Sequence, residues 1–222
     1  MGLWFISSAI MPDMLREVEF SELRQAALAS SVSLGFVLGA LISAILGLPD
    51  RFDPRKLFAI CACITAASGF ALLAFEPGSN LSIAARFVTG MMLAGVYPVG
   101  MKLAVGWGQK DRGLLVGFLV GALTLGSASP HLVAYIGEAD WRFTVKIVSF
   151  LTLVSGVLIL FSKLGPYHAK APGFKPSAIL EAWTNKRVRY AYLGYFGHMW
   201  ELYAMWAWIG FATYLSYSAT MA

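Results

Sequence analysis

Long apolar runs alternate with short polar knots along this chain. Residues 25–47, 57–75, 81–107, 113–136, 143–161 and 190–217 are almost unbroken stretches of hydrophobic and small side chains. A helix needs about 20 such residues, at roughly 1.5 Å each, to cross the hydrocarbon core of a bilayer. Each run therefore predicts a membrane span, the second to the seventh in order, and 81–107 is long enough to tilt. Ahead of them, residues 1–11 offer only about half a span before Asp13. They also lack the basic n-region of a signal peptide. The expectation is the outer half of a first span whose start lies upstream, in a chain that stops just after its seventh span: a fragment, or a chain read from a misplaced start.

Composition agrees. Hydrophobic residues make up 58% and charged residues 13%, with a mean hydropathy of +0.68, whereas a soluble domain carries about 25% charged residues. The main solvent of this chain is lipid. Its 22 glycines fit that reading, because membrane helices tolerate glycine better than soluble ones do. The net charge of +5 does not point to nucleic acid, since the basic residues sit in the turns and form no continuous stripe. Cys61 and Cys63 fall inside an apolar run, on different helix faces. They read as inert small residues with no disulfide or metal role.

Lysine and arginine orient the spans, because cytoplasmic loops carry the excess. The alternate loops 51–56, 108–112 and 163–189 hold Arg51, Arg55, Lys56, Lys110, Arg112, Lys163, Lys170, Lys175, Lys186, Arg187 and Arg189, eleven in all. The other set, 12–25, 76–80 and 137–142, holds Arg16, Arg24 and Arg142, which is three. The first set is predicted to face the cytoplasm. Small residues four apart recur in spans two and five, at Gly35-x3-Gly39 and Gly113-x3-Gly117-x3-Gly121, a spacing that lets helix backbones approach. Asp50-Arg51 follows span two on the inside, and Asp140-Trp-Arg142 follows span five on the outside. That echo fits an inverted three-plus-three repeat, a device of transporters.

The knot at 47–56, Gly-Leu-Pro-Asp-Arg-Phe-Asp-Pro-Arg-Lys, is the most specific of these features. Residues 48–56 resemble the loop motif of the major facilitator superfamily, Gly-x-Leu-Ala-Asp-Arg-x-Gly-Arg-Arg/Lys, and occupy its place between the second and third spans. Leu48, Asp50, Arg51, Arg55 and Lys56 correspond, the last two after a one-residue shift. Gly47 sits one residue late and Asp53-Pro54 replaces a glycine, which predicts a stiffer turn. Arg86-Phe-Val-Thr-Gly90 is similar to the Arg-x3-Gly pattern of the fourth helix in that family. Gly117-x3-Gly121-x4-Gly126-x3-Pro130 is similar to its glycine-rich fifth helix. Ser129 precedes Pro130, so the Gly-Pro pair of drug antiporters is absent.

The resemblance implies an all-α polytopic membrane protein, an MFS-type bundle of about six and a half spans. Residues 1–161 would form the N-terminal bundle with its first span truncated, 162–189 a cytoplasmic linker, and 190–222 the first span of a C-terminal bundle mostly missing from the chain. It also implies that Asp50, Arg51, Arg55 and Lys56 latch the two bundles on the inner side. The linker carries Pro166, Pro172 and Pro176 ahead of a short amphipathic helix expected from Ser177 to about Thr184, with Ser177 as a cap. Leu180 and Trp183 would lie at the interface, with Lys186, Arg187 and Arg189 on anionic lipid headgroups.

Ionisable groups within spans are functional candidates, because lipid makes them costly. Arg86 lies about five residues into span four, roughly 7–8 Å deep. It either binds an anionic substrate, pairs with a carboxylate, or snorkels to the outer headgroups. Lys102 and Lys146, near span ends, read as snorkelling. In span seven, His198 and Glu201 share one helix face at i, i+3, with Glu201 near mid-bilayer. They form either a proton relay and substrate site or a structural pair between helices. The family places spans one, four and seven around its central cavity, so Arg86, Tyr97, His198, Trp200 and Glu201 are its candidate lining. Tyr203, Trp206 and Trp208 lie nearby in the sequence. Tyr97-Pro98 is expected to break span four, either to free a carbonyl toward the cavity or simply as a kink.

Enzyme motifs are lacking. His198-x-x-Glu201 is not His-Glu-x-x-His, Gly126-Ser-Ala-Ser129 is not a nucleophile elbow, and no phosphate-binding loop occurs. The sequence therefore reads as a secondary transporter, a permease of the bacterial inner membrane. It would move a small solute by alternating access, with the proton as coupling partner, an anion as the favoured substrate class and no cofactor. The competing reading is a polytopic membrane scaffold or binding protein that transports nothing.

Overall fold

The computed structural model describes residues 1–137, 140–168 and 183–221, leaving aside the side chains of 203, 206–215 and 217–221. Its helices are α1 (Gly2–Glu17), α2 (Glu22–Leu46), α3 (Leu48–Arg51), α4 (Pro54–Ala71), α5 (Asn80–Leu93), α6 (Tyr97–Val105), α7 (Arg112–Ile136), α8 (Trp141–Leu158) and α9 (Lys186–Met221), with a 3₁₀ turn at Ile159–Phe161. No strand occurs among the described residues. The chain divides into two units, Met1–Phe174 and Lys175–Ala222. The first holds α1 to α8; the second is described only by α9 and the residues leading into it. The linker helix expected from Ser177 falls mostly outside the described residues.

Among the described residues, four stretches are long and apolar enough to cross a membrane: Glu22–Leu46, Asn80–Val105, Arg112–Ile136 and Trp141–Phe161. These are the second, fourth, fifth and sixth expected spans. The third, α4, is 18 residues long and opens on Arg55 and Lys56, which shortens its apolar run. The first helix differs from expectation. It does not stop at Met11 but runs through Pro12 to Glu17. Its far end is fastened outside the apolar run, where the Glu17 carboxylate accepts from Arg142 Nη1 at 2.6 Å. That hydrogen bond holds the Glu17 carboxyl below its ordinary range.

Sequence chemistry sets the helix ends. Gly47 closes α2 in the left-handed region at φ 58°, where a Cβ would be strained. Asp53, Ser79 and Asp140 each cap the following helix by accepting a backbone N–H in its first turn.

The packing pairs carry the repeat. The helices in contact include α2 with α5, α1 with α7, α4 with α5, α1 with α8, and α4 with α8. Counting α5 and α6 as one span, a two-fold that exchanges spans one to three with spans four to six turns α2–α5 into α7–α1. It turns α4–α5 into α8–α1 and leaves α4–α8 in place. An odd number of spans per repeat makes the copies inverted in the membrane. A buried apolar cluster joins Leu3, Ile6 and Ile10 of α1 to Trp141, Val145 and Val148 in the first half of α8. Lipid is as apolar as these side chains, so close packing rather than hydrophobic burial holds spans together. The tightest case is α2 on α5: a Cβ on Gly35, Gly39 or Gly90 would run into a backbone carbonyl of the facing helix.

Candidate functional site

Two places in the first unit gather the ionisable residues singled out by sequence. One is the interior between α1 and α5. Arg86, on the second turn of α5, is fully buried at 1% exposure. Its Nη1 donates to the Leu3 carbonyl at 2.5 Å and its Nη2 to the Trp4 carbonyl at 2.8 Å. Its Nε, also buried, has no partner among the described residues. The guanidinium therefore points into the bundle and not out to the headgroups, and no carboxylate pairs with it among the described residues. Carbonyls bear only partial charge, so two of them leave a buried cation incompletely compensated. One turn further along α5, Thr89 Oγ1 lies 2.8 Å from Ser68 Oγ of α4 and donates to its own helix at Ala85.

The fourth span breaks where Tyr97-Pro98 predicted. α5 ends at Leu93 and α6 starts at Tyr97, with Pro98 in its first turn. Pro98 has no N–H to offer the Ala94 carbonyl one turn back. Tyr97 is half-buried at this break.

The second place is the cytoplasmic end. Gly47 lets the chain reverse, α3 makes one turn, and Asp53 restarts the helix as its cap. The Arg55 guanidinium grips the Asp53 carboxylate, Nη2 to Oδ2 at 2.7 Å and Nε to Oδ1 at 3.1 Å. These hydrogen bonds pull the Asp53 carboxyl down to about 2. Arg55 also donates through Nη1 to the Ser162 carbonyl at 3.0 Å. Asp50 forms an ion pair with Lys102 of α6, whose ammonium also lies 3.4 Å from the Pro49 carbonyl. Lys102 thus engages the turn instead of snorkelling as expected. Arg51 and Lys56 are exposed.

The second unit holds the remaining candidates. His198, Trp200 and Glu201 are exposed on α9, and neither His198 nor Glu201 makes a side-chain hydrogen bond among the described residues. Tyr203, Trp206 and Trp208 lie outside the described side chains.

The family model of the Major Facilitator Superfamily matches residues 1–222. The chain belongs to the major facilitator superfamily. Its members are secondary transporters, and the all-α fold, the candidate spans and the loop at 48–56 agree with a multi-pass membrane protein that carries small molecules. No solved structure matches the chain.

Sequence reasoning missed three contacts. Lys102 with Asp50, Arg55 with Ser162, and Ser68 with Thr89 all join residues distant in the chain. Only the short-range Asp53–Arg55 pair, an acidic cap two residues before an arginine, left a local signal.

Proposed function

We propose that this transporter is a proton-coupled permease of the inner membrane that moves a small anionic solute by alternating access. Arg86 is the observation that supports the anion. It is a cation withdrawn from solvent, with one unpartnered donor and no carboxylate beside it among the described residues. A guanidinium recognises carboxylates and phosphate-like oxyanions through two parallel donors, and its Nε edge is the one not taken by α1. An arriving anion would bond there and loosen the hold on the Leu3 and Trp4 carbonyls, which couples substrate to the position of α1. Tyr97, at the break in the fourth span, would line the path. Glu201 and His198, on one face of α9, would take up the proton that enters with the anion. The turn residues Asp50, Arg51, Arg55 and Lys56 would latch the inward side, and the basic residues of the linker would rest on anionic lipid headgroups.

Uptake of a panel of small carboxylates and inorganic anions into membrane vesicles under an imposed pH gradient tests this reading. Glu201→Gln should abolish accumulation while exchange across equal pH persists. Arg86→Lys, which keeps the charge and loses the planar fork, should raise the apparent KM about tenfold, the worth of one charge-assisted hydrogen bond. Accumulation unchanged in Glu201→Gln would sink the proton role. A KM unchanged in Arg86→Lys would sink the anion site.

A further inference from the structure

Residues 162–168, which leave the last helix of the first unit, are tied down at three points. The Ser162 carbonyl accepts from Arg55 at 3.0 Å. Gly165 is buried so closely on the Gly106–Trp107 backbone that a Cβ there would run into the Gly106 carbonyl. The Tyr167 amide donates to that same Gly106 carbonyl at 3.0 Å. Gly106 is the cap of α6, and Lys102, four residues earlier and so on the same face, is the residue that holds Asp50. The segment and the 47–56 turn are therefore fastened to one nine-residue helix, and Arg55 joins them directly through its two grips, Asp53 and Ser162.

We propose that residues 162–168 are a strap whose docking on α6 sets the conformation of the 47–56 turn. Displacement of the chain beyond the strap would then be passed to Arg55 and to the Asp50–Lys102 pair. On the strap side each fastening is made by backbone: a carbonyl at 162, a bare Cα at 165 and an N–H at 167. Sequence enters through Gly165, where space excludes any side chain. Few contacts hold the strap and its outer residues Lys163, Leu164, Pro166 and Tyr167 are exposed, which marks a segment of low local stability that opens ahead of the bundle. When it lifts, Arg55 loses Ser162, and α6 loses the cover on the end that positions Lys102. Lys102 is thus a positioning residue for the turn. The proposal does not depend on the substrate or on proton coupling.

Amide hydrogen exchange of the protein in lipid nanodiscs tests it. Gly165→Ala should speed exchange across 162–168 about tenfold. It should also speed exchange of the Arg51 and Phe52 amides, which bond the Gly47 and Leu48 carbonyls, although the substitution is made outside the turn. Lys102→Met should loosen the turn and, through α6, the strap; Lys102→Arg, which keeps the ion pair, should leave both at the native rate. Amides of 28–39, packed in the α2–α5 contact, report whether the bundle itself has opened; if Lys102→Met accelerates them, Gly165→Ala decides alone. A strap that exchanges faster in Gly165→Ala while Arg51 and Phe52 keep their native rate would overturn the coupling. A strap that does not respond to Gly165→Ala would overturn the docking.

Discussion

Gly35 and Gly39 in α2 and Gly113, Gly117 and Gly121 in α7 recur at the same four-residue spacing. A Cβ on either of the first two would collide with α5 backbone, while one on any of the last three would meet nothing within 4 Å among the described residues. The two helices are related by the exchange of repeats, and each packs on the counterpart helix of the other repeat, α2 on α5 and α7 on α1. The difference lies in what faces the glycines. α5 brings its own glycine, Gly90, against the Val32 backbone of α2, so the crossing is small against small and the backbones meet. α1 approaches α7 near its other end, where Gly2 lies by Ser129 and Gly126, and Ser8 Oγ lies 3.4 Å from His131 Nε2. Glycines four apart thus permit a close crossing, and an opposing glycine is what produces one.

The largest effect that tests this contrast is at Gly90. Gly90→Val would drive a branched side chain into the Val32 carbonyl, and backbone, unlike a flexible side chain, has no rotamer to yield. Overpacking of this kind costs about 1–3 kcal/mol, and the upper end applies because helix would have to part from helix. The unfolding midpoint in detergent, followed by tryptophan fluorescence, should fall by several degrees or the protein should fail to accumulate. A native midpoint would mean that the α2–α5 crossing is not a close one.

That crossing also marks how far sequence reasoning reached. The second, fourth, fifth and sixth spans were legible because every backbone polar group in lipid must be satisfied within a helix, which forces long uninterrupted apolar runs; the first was not, since α1 runs past its apolar stretch to Glu17. The break at Tyr97-Pro98 was legible because it depends on proline's own backbone chemistry; the cap at Asp53 was not read from the sequence. Lys102 was not. A cation near a span end can reach headgroups or an acidic side chain, and the choice rests on where a turn 52 residues earlier folds back. Arg86 was half legible. Its place in the fourth span followed from counting residues, but its inward direction depends on which face of α5 meets α1. His198 and Glu201 share a helix face as their spacing requires, and nothing in that spacing reports what stands opposite.

A smaller effect separates backbone approach from polar bonding in the same region. Ser68 and Thr89 join α4 to α5 by a buried hydroxyl pair; each hydroxyl has one proton, so one donates across the pair while the other donates to its own helix, Thr89 to Ala85 or Ser68 to Thr65. Thr89→Val keeps the shape and removes the hydroxyl. Ser68 retains its own-helix partner, so the loss should stay near the lower end of the roughly 0.5–1.5 kcal/mol typical of one hydrogen bond. The drop in midpoint should be well under half that of Gly90→Val. An equal drop would assign the tightness of this core to hydrogen bonding and remove glycine from its explanation.

The smallest effect is expected at Gly117. It lies mid-way along the bare stripe of α7, on a face whose neighbours Leu114 and Phe118 are 62% and 70% exposed. Gly117→Val adds a side chain of the same size as the substitution at Gly90, at a glycine of the same spacing, on a helix of the same length as α2. With no atom to meet, it should move stability by no more than about 0.5 kcal/mol, as for exposed positions generally. The gain in helix propensity over glycine should bring the change to zero or slightly above it. A loss comparable to that of Gly90→Val would show that the α7 stripe is closely packed in the folded protein. The distinction between a glycine spacing that permits contact and an opposing glycine that makes it would then fail at the point where it predicts most sharply.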